Sequence, residues 1–146
     1  MSLAKQQTNY HFHYSILVNA SPQKVWDFLI DVNRWKDWDT ELHTATLSGN
    51  FSVGTKGIII PKKGPKLQFY ISELTPNESY TFVTKMPVGS LRIQRTLKQR
   101  GSQIEFTDDI EFTGFFKKIF GYVLGRNFRA VLPEVMENLK RIVENE

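Results

Sequence analysis

Two charged side chains that the sequence sets against each other carry the sharpest chemical signal in this chain. Gly101-Ser102 has the composition of a two-residue type II′ turn, and such a turn fixes the register of the hairpin around it. Arg100 then pairs with Gln103. Counting outward sets Leu97 against Phe106, Ile93 against Ile110 and Leu91 against Phe112 on one face. The other face pairs Lys98 with Glu105, Thr96 with Thr107 and Arg92 with Glu111, each a favourable cross-strand combination. Arg95 and Asp108 fall on the apolar face, directly opposite one another. Burying either charge alone is expensive, whereas a guanidinium and a carboxylate satisfy each other. The pair serves either as a structural ion pair that holds the register or as a polar anchor for a carboxylate, carbonyl or hydroxyl of a bound molecule.

Other reactive types are sparse. His11 and His13 have the i, i+2 spacing that can chelate zinc, with His43 as a third ligand. They lie on the strand face opposite Phe12, Tyr14, Ile16 and Val18, which is the expected solvent side, so no metal site is expected. The chain has no cysteine, which removes disulfides, thiolate zinc sites and a cysteine nucleophile. It has no nucleophile elbow and no phosphate-cradling glycine loop, and no cofactor is expected. The net charge of +4 comes from scattered residues, among them Lys62, Lys63, Lys66, Lys98, Arg100, Lys117, Lys118, Arg126 and Arg129. No nucleic-acid module accompanies them, so nucleic acid is not an expected partner; weak attraction to an anionic membrane fits such a surface better. No apolar signal region and no run of eighteen apolar residues is present, and a cytoplasmic location is the default expectation. The sequence does not specify an oligomeric state.

The hairpin must be held by the elements around it. At 146 residues the chain is long enough for one domain with a sizeable core. A single domain over 10–146 is expected, with residues 1–9 a flexible N-terminus. Phe12, Tyr14, Ile16 and Val18 alternate with polar residues, the period of a half-buried strand. Ser21 is a good N-cap and Pro22 follows at the first helical position, where its missing N–H costs nothing. Val25, Phe28, Leu29 and Val32 then form an apolar stripe, and a short second helix or turn presents Trp35 and Trp38. Strands are expected at 42–47, 55–60, 66–74, 79–86, 90–98 and 103–113, separated by Gly, Pro, Asn and Ser clusters. A turn at Val88-Gly89 would set Met86 against Leu91, Thr84 against Ile93 and Phe82 against Arg95. A turn at Pro76-Asn77 adds Leu67, Phe69 and Ile71 to the same face. The segment from Phe115 to Glu146 reads as one long helix with a stripe of Phe116, Phe120, Leu124, Phe128, Val131, Val135, Leu139 and Ile142. Pro133 should kink or restart it, and Gly114, Gly121 and Gly125 should loosen its beginning.

The string Ala20-Ser-Pro-x-x-Val-Trp-x-x-x-x-Asp31, then Trp35-x-x-Trp38, directly after a strand, resembles the START-like helix-grip superfamily in its polyketide cyclase/dehydrase and lipid-transport branch. The order of elements carries the resemblance over essentially the whole chain. It implies an α+β helix-grip fold: a seven-stranded curved antiparallel sheet wrapped around a long C-terminal helix, with two short helices after the first strand. It further implies a cavity between sheet and helix that binds or transports a small apolar ligand of lipid, polyketide or aromatic type. The implied lining is Phe69, Ile71, Phe82, Thr84, Ile93, Arg95, Phe106, Asp108 and Ile110 from the sheet, Phe120, Leu124 and Phe128 from the helix, and Trp35 near the mouth. A solid core is the competing reading of the same side chains. The family also suggests a cyclase or dehydratase with Arg95, Asp108 and Thr84 as the polar groups, or an interaction module without ligand. The run Phe115 to Leu124 is amphipathic enough to touch a membrane, but a gripped helix needs the same stripe, and the core is its expected place.

Overall fold

The computed structural model describes residues 7–146. Of the stretch expected to be flexible, residues 1–6 lie outside the described residues. Strand β1 (His11–Val18) leads into α1 (Pro22–Leu29), a 3-10 turn (Val32–Arg34) and α2 (Trp35–Trp38). Ser21 caps α1 as expected, its hydroxyl accepting from the Lys24 amide at 3.2 Å. α1 buries Val25, Phe28 and Leu29, and Trp26 as well. Trp35 and Trp38 are both buried on the inner side of the molecule.

Six further strands follow: β2 (Leu42–Leu47), β3 (Lys56–Pro61), β4 (Leu67–Thr75), β5 (Ser79–Met86), β6 (Gly89–Arg100) and β7 (Gln103–Thr113). Together with β1 they form one antiparallel seven-stranded sheet in the order β1-β7-β6-β5-β4-β3-β2. Every cross-strand pair expected from the Gly101-Ser102 turn is present, Arg95 opposite Asp108 included, and Gly101 has the positive φ of 63° that a type II′ turn requires. Pro76 and Asn77 form a type II turn closed by the Glu78 amide on the Thr75 carbonyl at 3.0 Å, with Asn77 at φ 66°. A bulge between Ile71 and Glu73 then sets Ile71 against Phe82 and Phe69 against Thr84.

The β5–β6 hairpin differs from expectation by two residues. Its turn residues are Pro87 and Val88, so Thr84 faces Leu91, Phe82 faces Ile93 and Tyr80 faces Arg95. Proline has no N–H for the ladder, which places Pro87 in the turn rather than in a strand. Gly89 is then the first residue of β6, where a Cβ would stand 2.4 Å from the Thr113 carbonyl oxygen. A shift of two residues keeps each side chain on its expected face, so the inner face survives the correction.

After β7 come α3 (Lys117–Phe120), a π-helical turn (Gly121–Gly125) and α4 (Arg126–Asn145). α4 lays Leu132, Val135, Met136, Leu139 and Val143 against the sheet. It continues through Pro133 without interruption; the irregularity lies more than two turns earlier, in the π-helical segment between Gly121 and Gly125, where the glycines were expected to loosen the helix. The first part of the expected apolar stripe does not enter the core: Phe116 and Leu124 are exposed and Phe120 is half-buried, and Ile119, Tyr122 and Val123 beside them are exposed too. The face of this segment that packs is its glycine face. Gly121 and Gly125 lie on the backbone of Asn9 and Tyr10, where a Cβ at Gly125 would meet the Asn9 carbonyl oxygen. With glycines turned inward, the neighbouring large side chains must turn outward. Among the described residues no helix is long and apolar enough to cross a membrane.

Candidate functional site

Arg95 is the centre of the inner face. Its side chain is 5% exposed, yet one edge of it reaches a pocket. Nε donates to Asp108 Oδ1 at 3.4 Å and Nη1 to the Tyr80 hydroxyl at 3.1 Å. Tyr80 in turn donates to the Leu29 carbonyl at 2.7 Å, and Trp35 Nε1 donates to the same oxygen at 2.8 Å. The guanidinium carbon lies 4.8 Å from the Trp35 ring, 4.7 Å from Trp38 and 5.0 Å from Phe82. The ring faces attract the cation while they strip it of water, so the cage fixes the guanidinium and tolerates its charge. Burial pulls the guanidinium's pKa down, but Tyr80 and Asp108 outweigh it and the balance lies above the ordinary arginine value. Burial dominates at Asp108, whose carboxyl is pushed up to about 6 despite Arg95 beside it. The Tyr80 hydroxyl is raised for the same reason.

In front of Arg95 opens a cavity of about 590 Å³, within the usual range for small-molecule sites. Its inner wall combines Trp35, Phe82, Thr84, Ile93 and Arg95, with Met86, Leu91, Leu67, Ile59 and Phe112 farther out. Phe128 and Leu124 close the helix side. Glu41, Lys62, Lys63 and Asn127 make the rim polar; Asn127 Nδ2 donates to Glu41 Oε1 at 3.4 Å between helix and sheet. Of the expected lining, the structure brings Trp35, Phe82, Thr84, Ile93, Arg95, Leu124 and Phe128 to one cavity. Phe69, Ile71, Phe106 and Ile110 are fully buried behind that wall, and Asp108 stands behind Arg95 rather than in the opening. Phe120 lies in α3 away from the wall.

Two polar groups of the wall have capacity to spare. Thr84 is 2% exposed and its hydroxyl has no hydrogen-bond partner. A buried hydroxyl with no protein partner is free to bond a polar group of whatever fills the cavity, and one with no partner at all costs about 1–3 kcal/mol. Asp39, directly after Trp38, was not among the expected residues. It is half-buried at the pocket, its Oδ1 accepting from the Glu41 amide at 3.0 Å. Burial raises its carboxyl pKa against the pull of that amide and of Arg95. The signal for it was local: an Asx turn, Asp39-Thr40-Glu41, placed where a buried tryptophan turn meets a strand. Of the outer wall, Leu67 and Met86 were expected on the inner face but not at the pocket, and Ile59 and Pro61 were assigned to no face, because no turn signal fixed the register of β3.

Comparison with known proteins agrees with this architecture. A family model described as polyketide cyclase / dehydrase and lipid transport matches residues 10–144. No curated protein matches the chain. A START superfamily protein from Mycobacterium smegmatis is similar in structure, with a TM-score of 0.75, 10% identity, and 92% of this chain covering 97% of that one. A protein from Chromobacterium violaceum gives a TM-score of 0.68 at 16% identity, with coverage of 92% and 97%. The di-domain ARO/CYC of the steffimycin biosynthetic pathway gives 0.71 at 8% identity, with 93% of this chain spanning 49% of that larger protein. At such identities the likeness is one of fold. The family match covers nearly the whole chain, and the chain belongs to the polyketide cyclase / dehydrase and lipid transport family.

Proposed function

We propose that this member of the family binds a small, largely apolar molecule in the cavity before Arg95, and holds one hydroxyl or carbonyl of it at Thr84 and the guanidinium edge. The observation that carries the reading is the unpartnered Thr84 hydroxyl, buried on an otherwise apolar wall beside a fixed cation. Asp39 and Asp108 accompany the guanidinium at the inner wall, so a neutral polar group fits there better than a carboxylate, whose counter-charges Lys62 and Lys63 lie out at the rim. Aromatic walls from Trp35 and Phe82 favour a ring system or an acyl chain lying against them.

Thr84→Val tests this directly. Removing an unpaired buried hydroxyl should leave stability unchanged or raise it by about 1 kcal/mol, while affinity for a hydroxylated or keto ligand falls. Native mass spectrometry against a panel of fatty alcohols, sterols and polycyclic phenols reads the affinity. No binding by any member would overturn the reading, as would equal binding by the variant.

The same experiment separates carriage from catalysis. Asp39 supports a cyclase- or dehydratase-type reading, because a carboxyl with a raised pKa on the pocket wall can move a proton to or from a bound carbonyl compound. A ligand returned with unchanged mass and spectrum supports carriage. A dehydrated or cyclised product supports the enzyme.

A further inference from the structure

The start of the C-terminal helical segment exposes more apolar surface than any other part of the described residues. Phe115 is 93% exposed, and Phe116, Ile119, Tyr122, Val123 and Leu124 follow it into solvent. The β5–β6 turn abuts Gly114 and adds exposed Val88 to the same end of the molecule. Packing within the fold leaves Phe115, Ile119, Tyr122 and Val123 more than half exposed and covers Phe116 and Leu124 only in part, since the segment meets the rest of the protein chiefly through Gly121 and Gly125. Contiguous apolar patches of this kind mark interaction sites.

Charge identifies what the patch faces. Between Glu111 and Glu134 the sequence has no acidic residue, and it carries Lys117, Lys118, Arg126 and Arg129, all exposed. Lys117 lies 5.2 Å from the Tyr10 ring and Arg126 4.8 Å from the Tyr122 ring, so the cations rise from an aromatic base. Large apolar and aromatic side chains ringed by cations suit the boundary between acyl chains and anionic headgroups. A second copy of the chain suits it less: a two-fold interface through this patch would bring two cationic rims together, and the segment has no acidic residue to offset them.

We propose that this face docks the protein onto a membrane containing anionic lipid, with Phe115, Ile119 and Val123 entering the interface and Lys117, Lys118 and Arg126 meeting the headgroups. Leu124 belongs both to this face and to the pocket wall, so the docked cavity opens beside the bilayer. Docking stands without the ligand reading, because the surface needs no occupant in the cavity.

Flotation with vesicles tests it. The protein should bind phosphatidylcholine vesicles carrying about 30 mol% phosphatidylserine and should not bind phosphatidylcholine alone. Raising the salt from about 0.1 M to 0.5 M should release it. K117Q/K118Q should weaken binding about thirty-fold, at about 1 kcal/mol per cation. F115S/I119S should abolish binding while leaving the fold intact, since both side chains are already in solvent. F115W supplies a second readout: Trp26, Trp35 and Trp38 are buried, so a blue shift on adding vesicles reports the new indole entering lipid. Absence of vesicle binding at low salt overturns the proposal. So does binding that ignores both lipid charge and K117Q/K118Q. A dimer in solution that F115S/I119S dissociates, or capture by an acidic polypeptide without vesicle binding, assigns the face to a protein and overturns it as well.

Discussion

Arg95 and Phe115 occupy each other's expected places. One is a cation 5% exposed in the middle of the fold; the other is a phenylalanine 93% exposed at its edge. Arginine is almost never fully buried unless paired, and a large aromatic residue is usually covered. The two exceptions are resolved differently. Around Arg95 the protein supplies the main compensating groups itself, Asp108, the Tyr80 hydroxyl and the faces of Trp35, Trp38 and Phe82, and leaves one guanidinium edge to the pocket. Around Phe115 it supplies only the edge of the Phe116 ring, and Ile119, Tyr122 and Val123 nearby are exposed as well. The inner exception is therefore part of the folding free energy, while the outer one costs the isolated chain little and waits for a partner.

The largest effects should come from breaking the inner compensation. Arg95→Met strands a carboxylate and Asp108→Leu strands a guanidinium, so each alone should destabilise by about 3–5 kcal/mol in urea unfolding. The double variant should recover much of that loss, because two apolar side chains no longer need each other. Penalties that simply add would mean that the cage of rings, not the carboxylate, supports Arg95.

A smaller effect follows from Asp108 being held at a pKa of about 6, above the ordinary 3.8. The folded state then binds this proton more tightly than the unfolded chain does. Asp108 therefore favours folding at about pH 4, and the advantage is lost as pH rises through about 6, a change on the order of 1–3 kcal/mol. Urea midpoints taken across that window should show a downward slope that Asp108→Asn flattens. An upward slope from the same group would mean that Arg95 outweighs burial.

The inner exception was legible in the sequence and the outer one was not, for physical reasons. Gly101-Ser102 admits one turn, that turn fixes one register, and a period of two then places Arg95 and Asp108 without further information. Ser21-Pro22 likewise fixes the start of α1 locally. The turn expected at Val88-Gly89 forms one residue earlier, at Pro87-Val88, which shifts the pairing by two, and it brings Gly89 against Thr113 of β7, a contact that the local sequence does not announce. The helix start misled through its period: an apolar stripe says that a face is apolar, not that something covers it. What decided the packing face was Gly121 and Gly125 against Asn9 and Tyr10, a contact more than a hundred residues apart in sequence. The pocket fell between these cases. Its inner wall was readable from strand alternation, while Asp39 and the rim came from turns.

The smallest expected effect is the most discriminating. If the outer exception carries no folding energy, Phe115→Ser and Ile119→Ser should each change stability by no more than about 0.5 kcal/mol, the ordinary scale for exposed positions. Leu139→Ala, at the buried stripe of α4 in the same helical segment, gives the contrast: a fully buried leucine there should cost about 2–5 kcal/mol. Urea unfolding monitored by the fluorescence of Trp26, Trp35 and Trp38 reads all three variants, because those rings are buried in the core and become exposed when it opens. A loss above about 1 kcal/mol in Phe115→Ser would show that the phenylalanine is covered in solution. The face would then be part of the fold, and Arg95 alone would remain as a reversal that the molecule maintains.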